Sequence, residues 1–197
     1  LLPAVTIAGA SWVTASRVFS SRKELADTGN RIAVAFATLI YPGLFMSWII
    51  RMTAFEHPIP ILISFLLIIF SNDSLAWAVG MLFGKGNRGI FPASPNKSIV
   101  GFIGGICGSI IVGILASIIV PKAFVSVLFP APVSGAIIGL FTGMMAIIGD
   151  LAESTIKRSA DVKDSGSIIP GRGGILDSID SMALAAPVFY VLYWLLF

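Results

Sequence analysis

Six long apolar stretches divide this chain, at residues 1–16, 32–50, 61–83, 99–120, 133–148 and 179–197. Crossing a bilayer as a helix takes about 20 mostly apolar residues. Backbone in hydrocarbon must satisfy its own hydrogen bonds, which leaves helices or closed barrels. The stretches are too long and too continuous for strands, and the alternation of a β-barrel is missing. Composition agrees: of 197 residues, 56% are hydrophobic and 12% charged, against about 25% charged in soluble domains. This excludes a disordered chain, a secreted disulfide scaffold and an ordinary cytosolic enzyme. Cys107 is the single cysteine, so no intrachain disulfide forms. The expectation is an all-α, polytopic integral membrane protein with about six transmembrane helices, forming one membrane-embedded domain over residues 1–197. The first residue is Leu1 rather than Met, so N-terminal spans of the full protein are expected to be missing. A signal peptide over residues 1–15 would lack a basic leading region.

The Lys and Arg residues test the assignment. The first loop holds Arg17, Arg22, Lys23 and Arg31; the second holds Arg51; the third holds Lys85, Arg88 and Lys97. Lys122 lies in the fourth, and Lys157, Arg158, Lys163 and Arg172 in the fifth. Eleven of the thirteen cations thus fall in odd-numbered loops. Such alternation is the signature of the positive-inside rule. It puts loops one, three and five in the cytoplasm, Phe197 on the opposite side, and the protein in the inner, cytoplasmic membrane. Glycines concentrate in the fourth and fifth stretches. Gly101 and Gly105, and then Gly135, Gly139 and Gly143, keep the four-residue spacing that lets helices approach closely in lipid. They read as packing faces rather than nucleotide loops. Gly84-Lys85 is followed by Gly86 and makes no P-loop.

The carboxylates are harder to explain by stability. Asp73 interrupts an apolar stretch about 15 Å of helix rise from its cytoplasmic end. A charge at that depth costs at least about 2.5–3.5 kcal/mol unless paired or wetted. Either it makes a packing hydrogen bond with Asn72 or Ser74, or it faces a wet polar cavity. A second group, Gly149-Asp150-Leu151-Ala152-Glu153-Ser154, closes the fifth stretch at a helix C-terminal region, where the macrodipole disfavours an acid. It runs on through Lys157-Arg158, Lys163-Asp164 and Gly171-Arg172-Gly173-Gly174 to Asp177-Ser178-Ile179-Asp180. Asp177 and Asp180, three apart, project from one helix face. Helix-borne aspartates at one depth suit Mg²⁺, which takes a few carboxylates and completes its shell with substrate phosphates. The loop cations answer a phosphorylated substrate, and the glycines let backbone N–H groups approach phosphate oxygens. A third element, Ser94-Pro95-Asn96-Lys97-Ser98, opens the next helix. It reads equally as an anion site with Ser94 and Lys97 or as an N-cap.

Together these residues resemble the signature of the phosphatidate cytidylyltransferase (CDP-diacylglycerol synthase) family. The resemblance is carried by Ser154-Thr155-Ile156-Lys157-Arg158, Lys163-Asp164-Ser165-Gly166 and the run Pro170–Asp180. Asn72-Asp73-Ser74, with Gly80 and Gly84-Lys85, resembles the family's earlier acidic span, and Ser94–Gly105 its Ser-Pro-x-Lys segment. The resemblance implies transfer of CMP from CTP to phosphatidic acid, giving CDP-diacylglycerol and pyrophosphate. It implies a homodimer and Mg²⁺, with or without a second cation; nucleic acid is no partner. On this reading Asp150, Asp177 and Asp180 hold metal, with Asp73 beside them. Lys157, Arg158, Lys163 and Asp164 belong to the catalytic set, and Arg172, Gly173 and Gly174 bind substrate. Ser94 and Lys97 hold the lipid phosphate. Three positions depart from the family pattern: Arg172 for His, Ser178 for a basic residue, and Val100 for Glu. Rival readings are a dolichol kinase-like enzyme, a CDP-archaeol synthase, a cation-coupled transporter and a purely structural membrane subunit. A transporter would show repeat symmetry and broken helix pairs, and no repeat is visible.

Overall fold

A computed structural model describes residues 39–170 and 173–197, together with 11–12 and 32–33. The expected first span, most of the second before residue 39, the four cations of the first loop and Arg172 lie outside the described residues. Within them the chain is helical and has no strand beyond isolated bridges. A π-helical turn, Leu39–Leu44, leads into α1 (Phe45–Met52). Then come α2 (Pro58–Phe83), α3 (Ile99–Ile119), α4 (Ala131–Ser159) and α5 (Leu176–Leu196). Among the described residues four helices, α2 to α5, are long and apolar enough to cross a membrane. The described residues therefore account for four of the six expected spans.

Local chemistry sets the helix limits. Pro58 opens α2, where the absent N–H costs nothing. Ser98 caps α3, its hydroxyl accepting from Gly101 N–H at 3.1 Å. Val120, before Pro121, leaves the helical region (φ −121°, ψ 61°) and ends α3. Helix α4 corrects an expectation: it does not close near residue 148 but continues to Ser159. Residues 150–159 contain neither Gly nor Pro, Glu153 and Lys157 pair one turn apart, and Lys157 and Arg158 complement the last turn. Asp150 therefore sits more than two turns inside the helix. A macrodipole effect fades within the last turn, so it does not weigh on this residue.

Each long helix packs on the next, α2 on α3, α3 on α4 and α4 on α5, with α1 against α5. The small residues do what their spacing predicts. Gly113 meets Gly135 and Gly139 backbone to backbone, and a Cβ at Gly135 would lie 2.9 Å from the Gly113 carbonyl carbon. Asn72 pins three helices: its Nδ2 donates to Ser109 Oγ (3.0 Å) and to the Gly143 carbonyl (3.2 Å). Phe65 and Phe189 fill the centre, edge to face at 5.2 Å.

The third and fifth loops meet at one end of the bundle, where Arg158 Nε donates to the Ala93 carbonyl at 3.4 Å. Residues 55–57, residues 122–125 and Phe197 meet at the other end, around one cavity. The predicted parity of the loops is therefore seen for all the described ones.

Candidate active site

The polar end is built from α2, α3, α4, α5 and the two loops between them. Two cavities adjoin there. The larger, about 530 Å³, is lined by Asn72, Asp73, Ser94, Lys97 and Arg88 on its polar side and by Trp77, Met81 and Phe102 on its apolar side. The smaller, about 310 Å³, is lined by Asp73, Asp150, Asp177 and Asp180 with Ser74, Ser178 and Ser181. Asp73 and Asp150 line both, so they form the wall between an anionic chamber and an amphipathic one. Asp73 is exposed and lines both cavities. Its neighbour Asn72 is spent on Ser109 and Gly143.

Lys97 reaches across the larger chamber to form an ion pair with Asp150, both side chains partly exposed. Its neighbour Ser98 supplies the helix cap, which is one of the two readings of the segment 94–98. Ser94 lies on the chamber wall. Arg88 donates to the Gly80 carbonyl at 3.0 Å, which anchors its guanidinium beside the same space.

Asp180 projects from the first turns of α5, its Oδ1 accepting from Ser181 N–H at 2.6 Å, and the charges of Asp150 and Asp73 bear on it. A crossing of bare backbones brings α4 and α5 this close: a Cβ at Gly149 would lie 2.5 Å from the Asp180 carbonyl oxygen. Tyr41 closes the crossing, donating to the Gly149 carbonyl at 2.8 Å with the Asp180 carbonyl 3.3 Å away.

Asp177, expected among the metal-holding residues, is engaged by groups of the protein itself. Its side chain is only 6% exposed. Oδ1 accepts from Lys157 Nζ at 2.6 Å. Oδ2 accepts from Ser165 N–H (2.8 Å), Ser165 O–H (2.7 Å) and Gly174 N–H (2.6 Å). The loop is shaped around that oxygen: Gly173 has φ +97°, a conformation that disfavours side chains, and it exchanges paired backbone bonds with Ile169. Asp177 thus has a structural reason to be there, contrary to the expectation that stability recommends no acid at this point. Lys157 in turn lies 2.6 Å from Glu153, which is fully buried.

The other described sequence candidates do not line the two chambers. Arg158 bonds the Ala93 and Val162 carbonyls and stitches the loops. Lys163 and Asp164 are exposed on the fifth loop; Gly174 is buried beneath Ser165. Sequence reasoning gave no role to Arg88, Tyr41 or Glu153, and offered Asn72 only as a packing partner of Asp73. The third-loop cation excess pointed to Arg88, and the four-residue spacing to Lys157 pointed to Glu153. Tyr41 carried no signal.

Among the described residues no three His, Cys, Asp or Glu side chains come together closely enough to enclose a metal ion unaided. The donor chemistry nevertheless fits Mg²⁺, which binds through one or two carboxylates and completes its shell with water and phosphate oxygens.

Comparison with known proteins agrees with this chemistry. The profile of the cytidylyltransferase family matches residues 2–196. A phosphatidate cytidylyltransferase of Bacillus subtilis (strain 168) is 36% identical over 165 residues, covering 81% of this chain and 58% of the relative. That of Haemophilus influenzae is 34% identical over 172 residues, covering 83% and 57%. That of Chlamydia trachomatis is 41% identical over 123 residues, covering 62% and 39%. The chain thus spans less than two thirds of the length of each of these relatives. With its carboxylate wall, its cationic loops and a family profile that runs almost from end to end, the chain belongs to the cytidylyltransferase family.

Proposed function

We propose that the protein containing this chain transfers CMP from CTP to phosphatidate, forming CDP-diacylglycerol and releasing pyrophosphate. The observation that carries the reading is the Asp73–Asp150 wall, with an anionic chamber on one side and, on the other, a partly apolar one into which Lys97 and Arg88 bring positive charge. A reaction between two anions needs both phosphates neutralised and held in line.

The lipid head group enters the larger chamber. Its phosphate meets Lys97, Arg88 and Ser94, while Trp77 and Met81, exposed on the flank of α2, lie along the path of the acyl chains. Lys97 carries three donors, so it holds Asp150 and a phosphate oxygen together. Asp150 and Asp180, with Asp73 beside them, would hold Mg²⁺ at the nucleotide. Bound there, the ion supplies charge neutralisation and orientation of the phosphates. A phosphatidate oxygen bonds to the α-phosphorus of CTP as the bond to the β-phosphate oxygen breaks. The attacking oxygen is already ionised at neutral pH, so no residue need remove a proton.

The same reading has six spans, the polar end facing the cytoplasm of the inner membrane where CTP is available, and a homodimer. The cation alternation of the loops supports the orientation, and the family resemblance alone supports the dimer. The test is to incubate purified full-length protein with CTP, phosphatidate and Mg²⁺. CDP-diacylglycerol and pyrophosphate in equal amounts are expected; consumption of CTP with release of CDP instead would replace this reading with a lipid kinase.

A further inference from the structure

The cavity at the end of the bundle away from Asp73 and Asp150 lies outside the proposed reaction and is lined by charges that the fold leaves unpaired. It measures about 350 Å³ and brings together Glu56 and His57 at the start of α2, Lys122 and Val125 of the fourth loop, and Trp194 of α5. Glu56 and Lys122 are exposed and opposite in charge. Yet among the described residues neither has an ion pair or a side-chain hydrogen bond, and the His57 imidazole has no hydrogen-bond partner. The walls are nevertheless fixed. Tyr193 donates to the Ala123 carbonyl, and Val127 N–H and Ser126 O–H both donate to the Leu196 carbonyl, at 3.0 and 3.1 Å. Phe124 packs edge to face on Tyr193 at 5.6 Å. A second observation concerns the rim. Val125, Val127, Leu128 and Phe129 are all exposed on a loop whose one charged residue is Lys122. Apolar side chains at this density belong against hydrocarbon rather than water. Helix α2 begins and α5 ends at this level. The cavity therefore lies at head-group depth in the leaflet opposite the polar end, where tryptophan also collects.

We infer that this cavity binds the head group of a phospholipid that carries both a phosphodiester and a primary ammonium. Lys122 and the His57 N–H meet the phosphate, while the Glu56 carboxylate accepts from the ammonium. The Trp194 ring adds an aromatic surface that attracts the same cation. Charge complementarity selects this occupant. A purely anionic head group brings its charge up to Glu56, and a soluble ligand leaves the apolar rim in water. Basic pockets between membrane helices receive lipid head groups; the unpaired carboxylate is what adds the requirement for an ammonium. The acyl chains then lie along Val127, Leu128 and Phe129. A lipid held this way ties the start of α2, the fourth loop and the end of α5 together, so it serves cohesion rather than chemistry. The inference stands independently of the proposed reaction.

Native mass spectrometry reads the binding, on purified full-length protein delipidated in detergent and titrated with one lipid at a time. Phosphatidylethanolamine is compared with phosphatidylglycerol, which lacks the ammonium, and with phosphatidylcholine, whose quaternary ammonium has no N–H to donate. One phosphatidylethanolamine is expected to bind about tenfold more tightly than either, the scale of a hydrogen bond to a charged group. Glu56→Gln is expected to erase that preference, and Lys122→Gln to weaken all three lipids about tenfold. Both side chains are exposed, so the gel-filtration profile of each variant should match the parent. Arg51→Gln removes another cation, which sits over the Trp48 ring at 4.5 Å outside the cavity; it is expected to leave all three affinities as they were. Equal affinities in the parent protein, or a preference that survives Glu56→Gln, overturn the inference. Affinities unmoved by Lys122→Gln belong to another site and overturn it as well. Equal weakening by Arg51→Gln and Lys122→Gln means diffuse charge attraction and does the same. Preference for phosphatidylglycerol overturns the assignment of the head group.

Discussion

The two ends of the helix row are made from the same helices and differ in almost everything else. At one end Asp73, Asp150, Asp177 and Asp180 border chambers crossed by Lys97 and anchored by Lys157. At the other, aromatic rings stack: Phe55 on Tyr190 at 4.9 Å, and Tyr193 on Phe197 at 5.5 Å. Glu56, His57 and Lys122 stand around a cavity of about 350 Å³ there. At that end Tyr193 donates to the Ala123 carbonyl, a bond that fastens loop to helix. The polar end accumulates like charges that stability alone would disperse, whereas the aromatic end spends its polar groups on fastening. Chemistry is therefore assigned to the first and cohesion to the second.

The strongest way to break that contrast is at the shared wall. Asp150→Asn should lower transfer by about a thousandfold, equivalent to about 4 kcal/mol of activation free energy. The protein should remain inserted and folded, as checked by initial-rate assays beside gel filtration. A rate within tenfold of the parent would remove Asp150 from the chemistry.

Phe189→Ala probes the interior behind the aromatic end. In water-soluble cores such a truncation costs about 3–5 kcal/mol. Lipid tails are as apolar as the side chain, so mainly lost packing remains, and about 1–3 kcal/mol is expected. Thermal unfolding in detergent measures it, and the rate per folded molecule should not change. A large rate loss at full stability would mean the two ends are not separate.

Asn72→Ala removes the pin between α2, α3 and α4. Interhelical hydrogen bonds in membranes average about 0.6 kcal/mol and reach about 1.7. A small fall in stability is expected, accompanied by a rise in KM for the lipid, because Asn72 also lines the larger chamber. Smallest of all is Lys122→Gln at the aromatic end. Transfer should stay within about twofold, since exposed Lys122 stands at the end away from the Asp73–Asp150 wall.

Much of this was legible before any coordinates. The apolar lengths gave α2, α3 and α5 within about three residues, because hydrocarbon leaves the backbone few alternatives. The cation alternation anticipated which loops share an end, and a polar cavity beside Asp73 was one of two readings open at that residue. The end of α4 was misread because an apolar stretch and a helix are different things. The helix continues through Glu153, Lys157 and Arg158 once it leaves the hydrophobic window, and hydropathy does not see it. The partners of Asp177 were hidden for another reason. Spacing says that it shares a helix face with Asp180, but its partners Ser165 and Gly174 arrive from a loop whose path no periodicity encodes.

Sequence alone determined the solvent, the helical class and the inventory of charges, since each follows from composition and short-range order. The allocation of those charges was decided only in three dimensions. Asp150 faces Lys97 across α3 and α4, while Asp177 is held by Lys157 and the loop. Tyr41 seals a crossing more than a hundred residues away. Electrostatic partnership depends on distances of a few ångströms between segments remote in the chain, and only packing sets those distances.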